Sequence, residues 1–241
     1  MSVSAAELST MKFEHYKLAS PWDKIVGKPE INGSILMYSP AGSGKSTVAM
    51  QLCHEFTYHG NVLYVAAEEG ISATLKDKVN RSKLQKSDIS FHEWDGLEKL
   101  KKHILKNDIN ILCIDSYTII DERLSTFEPF RQWCRENNIF FITIVQQTKD
   151  GKFLGKASAG FNVDCKIQVN EGRPSTLETG KNRFGPLYTH DVDLTKKPAT
   201  RPKKGRKKKV KKSTPTKSKK KTSSTDFDSS MSEVEQMMNN I

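Results

Sequence analysis

The sequence lacks the features that mark secreted and membrane-spanning proteins. None of its apolar runs approaches the roughly 18 to 20 consecutive residues that a membrane span needs. The N-terminus does not place an apolar run after basic residues, as a signal peptide does. The four cysteines stand far apart with no Cys-x-x-Cys pair, so the sequence predicts neither a zinc ribbon nor a disulfide framework. We expect a protein of a reducing compartment without a membrane partner, located in the cytoplasm or, in a eukaryotic source or a nuclear virus, in the nucleus.

Positive charge is concentrated at the C-terminal end of the chain. The whole chain carries a net charge of +11, and residues 196–241 alone hold 15 Lys or Arg against four Asp or Glu. The rest of the chain is therefore neutral overall. The tail is rich in Lys, Pro, Ser and Thr, which bury too little apolar surface to offset the entropy lost on ordering. We expect a disordered basic tail that binds a polyanion, most simply nucleic acid; a solubilising segment or a nuclear import signal is the alternative.

Composition divides the chain into four segments. Residues 1–20 form an N-terminal arm, residues 21–195 the predicted core, residues 196–225 the Lys-rich tail and residues 226–241 an acidic end. The acidic end carries apolar residues at helical spacing. It is a candidate docking peptide for a protein partner or a cap on the Lys run, and a frayed terminus is the simpler alternative.

Within the core, short apolar runs alternate with amphipathic stretches. This alternation is typical of an α/β fold with a mostly parallel central sheet flanked by helices. After residue 164 the helical pattern stops, and residues 165–170, 175–182 and 187–194 predict an antiparallel extension at the sheet edge. The predicted strands are residues 34–39, 61–67, 109–116 and 138–146, and the predicted helices are residues 45–58, 71–84, 96–106 and 127–137.

The sequence Ser-Pro-Ala-Gly-Ser-Gly-Lys-Ser-Thr, at residues 39–47, predicts a phosphate-binding loop (P-loop) between a strand and a helix. Small residues let successive backbone N–H groups surround a phosphate, while Lys45 reaches the β and γ oxygens and Ser46 contacts Mg²⁺. Ser39 stands where the motif has its first Gly, but that position begins the turn and need not touch phosphate. The predicted nucleotide-binding residues are Pro40, Ala41, Gly42, Ser43, Gly44, Lys45, Ser46 and Thr47.

Carboxylates follow two of the other predicted strands. Asp115 closes the run ILCID, where a P-loop protein holds its metal, although an Asp there can also cap the next element. Glu68 and Glu69 follow the run NVLYVAA at the edge where α/β folds bind ligands. Adjacent residues cannot both point at one water. We predict Glu68 as the catalytic base with Glu69 as its positioning partner or substitute, against the alternative of an exposed acidic turn.

Four segments resemble the RecA-like ATPases, and within them the bacterial RadA family. They are SPAGSGKST, YVAAEEG, ILCIDS, and TKDGKFLG followed by KNRFGP. The resemblance covers roughly residues 20–194, the ATPase core; no segment matches the family's zinc module or protease-like domain. It implies a RecA-like P-loop core, ATP and Mg²⁺ as ligands, binding of ATP between neighbouring subunits, and self-assembly into a ring or filament on DNA.

The same resemblance implies further site residues. Gln146, or its neighbour Gln147, would sense the γ-phosphate at the end of its strand. Lys181 and Arg183 would act across a subunit boundary, like an arginine finger on the neighbour's ATP. Residues 148–156 match the DNA-facing loop, although a plain surface loop is the commoner fate of such sequences. The candidate DNA-binding residues are Lys149, Lys152 and Lys156 in this loop and Lys203, Lys204, Arg206, Lys207, Lys208 and Lys209 in the tail.

These patterns together predict a DNA-stimulated ATPase of RecA/RadA type. It would act in recombination, repair or replication by binding single-stranded or branched DNA as an oligomer. One alternative is a hexameric replicative helicase of the DnaB class, which shares the core. Another is a nucleotide-regulated DNA-binding scaffold with weak ATPase activity.

Overall fold

An eight-stranded sheet forms the centre of the computed structural model, which describes residues 2–147, 158–170 and 175–193. The described residues belong to one unit of the chain, Met1–Gly205. The strands are β1 (Ser34–Ser39), β2 (Val62–Ala66), β3 (Ile89–His92), β4 (Ile111–Asp115), β5 (Phe140–Gln146), β6 (Cys165–Asn170), β7 (Ser175–Asn182) and β8 (Thr189–Val192).

The strand order across the sheet is β3-β2-β4-β5-β1-β6-β7-β8. The first six strands in this order are parallel, and β7 and β8 continue the sheet by antiparallel pairing. Ser39 of β1 pairs with Gln146 of β5, and Ala66 of β2 pairs with Asp115 of β4. The carboxyl ends of the central strands therefore meet at one edge of the sheet.

Helices cover both faces of the sheet. They supply the long crossovers that parallel strands require. Among the described residues, no helix combines the length and apolar composition of a membrane span. The helices are α1 (Ala5–Thr10), α2 (Trp22–Ile25), α3 (Lys45–Phe56), α4 (Ala73–Arg81), α5 (Leu97–Lys106), α6 (Tyr117–Ile120), α7 (Phe127–Glu136) and α8 (Ser158–Asn162).

Two hydrophobic clusters hold these layers together, one on each face. Successive strand residues point to opposite faces, so Ile35 and Met37 join the cluster containing α3, while Leu36 joins the cluster containing α7. Every residue of β2 and β4 is buried, as expected where helices cover both sides of a parallel sheet. The α/β prediction with a mostly parallel sheet is confirmed.

The structure differs from the sequence prediction in two strands. β3 was not predicted, because this four-residue edge strand buries only Ile89 and so lacks a continuous apolar run. β6 was predicted as part of the antiparallel extension, but it is parallel to β1. The antiparallel extension begins only at the pairing of β6 with β7.

The predicted N-terminal arm is exposed at its start and buried further along the chain. α1 buries none of its side chains, and its N-terminus is closed by a capping box between Ser4 and Glu7. Further along, Tyr16 and Leu18 are buried in the core, and His15 forms a bridge with Glu30. The predicted Lys-rich tail and acidic end lie outside the described residues.

Candidate nucleotide-binding site

The predicted P-loop connects β1 to α3. Gly42 and Gly44 have backbone φ angles of 83° and 91°, a left-handed conformation that glycine adopts without strain. Gly44 caps α3, which begins at Lys45 and carries Ser46 and Thr47 in its first turn. The unpaired N–H groups of a helix N-terminus favour an anion, so this loop and helix can bind phosphate.

Lys45 lies folded back over the start of the loop. Its Nζ donates hydrogen bonds to the carbonyl oxygens of Ser39, at 3.2 Å, and Pro40, at 2.7 Å. The side chain is only 9% exposed. The loop therefore holds a buried ammonium group at the N-terminus of α3. This group adds a full positive charge to the partial charges of the backbone N–H donors.

Ser39 takes the place of the motif's first glycine without opening the loop. It is fully buried, and its hydroxyl contacts the hydroxyl of Ser43 across the turn. The same hydroxyl of Ser39 donates a hydrogen bond to the carbonyl oxygen of Pro40 at 3.3 Å. The extra hydroxyl is thus satisfied inside the loop, while Pro40, Ala41 and Gly42 remain exposed.

Asp115 ends β4 at the same edge of the sheet as this loop, and its two carboxylate oxygens have different surroundings. Oδ2 accepts a hydrogen bond from the hydroxyl of Tyr64 at 2.5 Å. Oδ1 is buried and has no hydrogen-bond partner within the described part of the chain. Burial and the neighbouring Asp115 charge raise the pKa of Tyr64 well above its ordinary value, so the phenol stays protonated and acts as the donor.

These residues fit the Mg²⁺ that a P-loop fold implies. Buried polar atoms in proteins nearly always have a partner, and an unsatisfied carboxylate oxygen suits Mg²⁺ or one of its bound waters. α3, whose first turn carries Ser46, packs against β4. Ser39, Asp115 and Gln146 also end adjacent strands and point to the face that α3 covers.

Glu68 and Glu69 follow β2 at the same edge, and their side chains differ in surroundings. The backbone N–H of Glu68 donates to the carbonyl oxygen of Asp115 at 3.0 Å, which ties this turn to the end of β4. The Glu68 carboxylate is exposed and forms no ion pair with another described residue. The Glu69 carboxylate forms an ion pair, because its Oε1 lies 2.8 Å from the Nζ of Lys78 on α4.

Lys181 and Arg183 lie at the opposite edge of the sheet. Cys165 of β6 pairs both with Asn182, between these two cations, and with Ile35 near the amino end of β1. The P-loop begins four residues beyond Ile35, or about 13 Å along the strand. Neither cation lies at the edge that carries the P-loop of its own chain.

Both cations are held by the segment that leads into β6. Lys181 donates from Nζ to the carbonyl oxygen of Phe161, and its pKa is lowered by partial burial and by the neighbouring Arg183 charge. Nη1 of Arg183 lies 3.3 Å from Oδ1 of Asp164. Asp164 is itself fixed, because its Oδ2 accepts from the N–H and the hydroxyl of Ser34 at 3.0 and 2.8 Å.

Phe184, next to Arg183, packs inside its own chain. Its ring lies 6.3 Å from the ring of Phe140, and a Cβ added to Gly33 would come within 2.5 Å of its Cζ. Its carbonyl oxygen accepts from the N–H of Lys28. This anchoring fixes the turn on which Arg183 lies.

The predicted DNA-binding residues, in the segment 148–156 and in the tail, lie outside the described residues. The residues concerned are Lys149, Lys152, Lys156, Lys203, Lys204, Arg206, Lys207, Lys208 and Lys209.

The sequence and the fold are similar to those of known proteins. No family model matches the chain. The DNA repair protein RadA of Aquifex aeolicus is 27% identical over 180 residues, which is 68% of this chain and 40% of that protein. RadA of Streptococcus pneumoniae is 25% identical over 182 residues, again 68% of this chain and 43% of that protein. The chain therefore spans about two fifths of the length of the curated relatives it matches.

Among solved structures, the KaiC-like protein PH0186 from Pyrococcus horikoshii matches with a TM-score of 0.59 and 16% identity. The match covers 75% of this chain and 94% of that protein. The chain thus has the fold of the RecA-like P-loop ATPases, and its sequence is similar to that of the DNA repair protein RadA.

Proposed function

We propose that this chain binds and hydrolyses MgATP at the carboxyl edge of its sheet and does so as an oligomer on DNA. The observation that carries the proposal is that one edge of the sheet carries both a P-loop with the buried Lys45 ammonium and the unsatisfied Oδ1 of Asp115. One part suits a triphosphate and the other its metal. Together they provide the charge that phosphoryl transfer requires.

Each residue has a separate task in this proposal. The loop N–H groups and Lys45 bind the β- and γ-phosphates, and Ser46 and Asp115 hold Mg²⁺. When bound, the ion neutralises the negative charge of the phosphates. Glu68 orients and deprotonates the attacking water. Its exposed, unpaired carboxylate supports this role, whereas Glu69 is engaged by Lys78.

Gln146 is the proposed γ-phosphate sensor. It ends β5 in register with Ser39, the first residue of the P-loop, and it lies two residues before the segment 148–156, which carries Lys149 and Lys152. Contact between Gln146 and the γ-phosphate would link nucleotide state to the DNA-facing loop through very few residues of chain.

Lys181 and Arg183 are proposed to act on the ATP of a neighbouring subunit. Their position at the edge opposite their own P-loop supports action between chains. Such a contact joins one surface of a subunit to a different surface of the next, which generates a ring where the rotation closes and a filament where it does not.

Mixing an impaired variant with an inactive one tests action between subunits. We expect Arg183→Ala to lower hydrolysis by about 10- to 100-fold, below the about 10³- to 10⁵-fold of a sole arginine finger, because Lys181 remains. Lys45→Ala retains Arg183 but lacks a working P-loop. Their mixture should therefore hydrolyse ATP faster than the sum of the two alone, as measured by phosphate release. Arg81→Ala, an exposed arginine on α4, is the control for loss of charge. A mixture no faster than the sum would refute action in trans.

Removal of the basic tail tests its role in DNA binding. Each single-stranded DNA phosphate that the protein neutralises adds about 0.7 to the slope of log affinity against log salt concentration. Deletion of residues 196–241 should weaken binding and flatten this slope, measured by fluorescence anisotropy with labelled single-stranded DNA. An unchanged slope would assign the tail to import or solubility instead.

Phosphate release in Mg²⁺, with and without single-stranded or branched DNA, tests the proposed function as a whole. We expect hydrolysis that rises with DNA and disappears when EDTA removes the metal. An absence of turnover at every DNA concentration would favour the scaffold. Strand displacement on a forked duplex by the protein alone would favour the helicase, whereas pairing or branch extension without displacement supports a recombination role.

A further inference from the structure

We propose that Tyr64 is a positioning residue for the metal-holding carboxylate. Its hydroxyl holds Oδ2 of Asp115 and so leaves Oδ1 available to hold Mg²⁺. This inference rests on the proposed MgATP function and assigns a role to a residue that does not itself contact the nucleotide.

The register of β2 and β4 explains how Tyr64 reaches Asp115. Tyr64 pairs with Cys113, and Ala66 pairs with Asp115. Tyr64 is therefore the diagonal neighbour of Asp115 on the same face, a separation that a long aromatic side chain can span. Ala66, directly opposite Asp115, is too small to compete for that space.

Burial of Tyr64 commits its hydroxyl to this one contact. The side chain is fully buried, and its ring packs against Phe91 with the centroids 5.4 Å apart. A phenylalanine would fill the same apolar space, and a buried hydroxyl is unfavourable unless it finds a partner. Packing alone therefore does not account for the hydroxyl, whereas its 2.5 Å bond to Asp115 does.

The hydrogen bond from Tyr64 gives the two oxygens of the Asp115 carboxylate different roles: one accepts this bond, and the other remains available for the metal. Oδ2 has a donor and Oδ1 has none within the described residues. A carboxylate fixed by one hydrogen bond cannot rotate freely, so its other oxygen keeps one direction. Hydrogen-bond partners behind metal ligands typically change metal affinity by about 10- to 100-fold.

Tyr64→Phe tests this role without changing the ring. Binding of a fluorescent ATP analogue is titrated with Mg²⁺, and the Mg²⁺ concentration at half-maximal enhancement should rise about 10- to 100-fold. Binding without Mg²⁺ should stay unchanged, because the P-loop is intact. Tyr16→Phe is the matched control: Tyr16 is also buried, but its ring packs against Phe56 and Phe140.

A double-mutant cycle separates this role from a structural one. If Tyr64 acts through Asp115, adding Tyr64→Phe to Asp115→Asn should cause no further loss of Mg²⁺ dependence. The ratio of affinities with and without Mg²⁺ is insensitive to a general loss of stability, since only folded molecules bind in either condition. An unchanged Mg²⁺ curve for Tyr64→Phe, or additive losses in the double variant, would overturn the inference. Wild-type protein that binds no nucleotide would overturn the proposed function itself.

Discussion

Lys45→Ala should abolish ATP hydrolysis and remove most nucleotide affinity. The ammonium lies buried at the start of the P-loop, and in the proposed complex it donates to two phosphate oxygens. Two charge-assisted hydrogen bonds of about 1.5–3 kcal/mol each amount to about 3–6 kcal/mol, or about 100- to 10⁴-fold in affinity. Isothermal titration calorimetry with a non-hydrolysable ATP analogue measures the affinity, and phosphate release measures turnover.

Controls must separate the effect of losing the Lys45 charge from the effect of a change in the conformation of the P-loop. Lys45→Ala also removes the hydrogen bonds to the carbonyl oxygens of Ser39 and Pro40, so thermal unfolding without nucleotide should be compared with wild type. Lys45→Met keeps the length of the side chain without its charge and should behave as Lys45→Ala does. Lys102→Ala, an exposed lysine on α5, should bind and hydrolyse normally. Turnover near wild type in Lys45→Ala would contradict the assignment of this loop.

The local structure around the candidate site is predictable where its residues are consecutive. A P-loop is a local structure: glycines at two left-handed positions and a lysine that opens a helix are all visible within nine residues. Asp115 is predictable for a related reason, since an acidic residue at the end of an apolar run lies at the carboxyl edge of a parallel sheet. The shared edge of Ser39, Asp115 and Gln146 follows from strand order alone.

Contacts between distant segments are not predictable in the same way. The partner of Asp115, Tyr64, is 51 residues away, and the only signal for it is one hydroxyl-bearing residue in the apolar strand VLYVA. β3 escapes prediction because an edge strand buries little. The parallel direction of β6 depends on how the chain crosses the sheet, which its alternating pattern does not encode.

Glu68→Gln should slow hydrolysis by about 10²- to 10⁴-fold while leaving nucleotide affinity unchanged, because an amide of the same shape cannot accept the proton of the attacking water. The turn that carries Glu68 is fixed to β4 by its N–H bond to the Asp115 carbonyl oxygen, so the substitution should not move the backbone. Single-turnover phosphate release with enzyme in excess isolates the chemical step, and the fluorescent ATP analogue reports affinity separately.

Glu69→Gln is the matched control, since it makes the same chemical change one residue along the chain. Its carboxylate lies 2.8 Å from the Lys78 ammonium and is directed toward α4. Loss of such a partly exposed ion pair costs at most about 1 kcal/mol of stability, and hydrolysis should stay within a few-fold of wild type. If Glu69→Gln stops turnover while Glu68→Gln does not, the base is Glu69, and Lys78 must release it when ATP binds. Lys78→Ala would then accelerate hydrolysis, whereas with Glu68 as the base it should leave the rate unchanged.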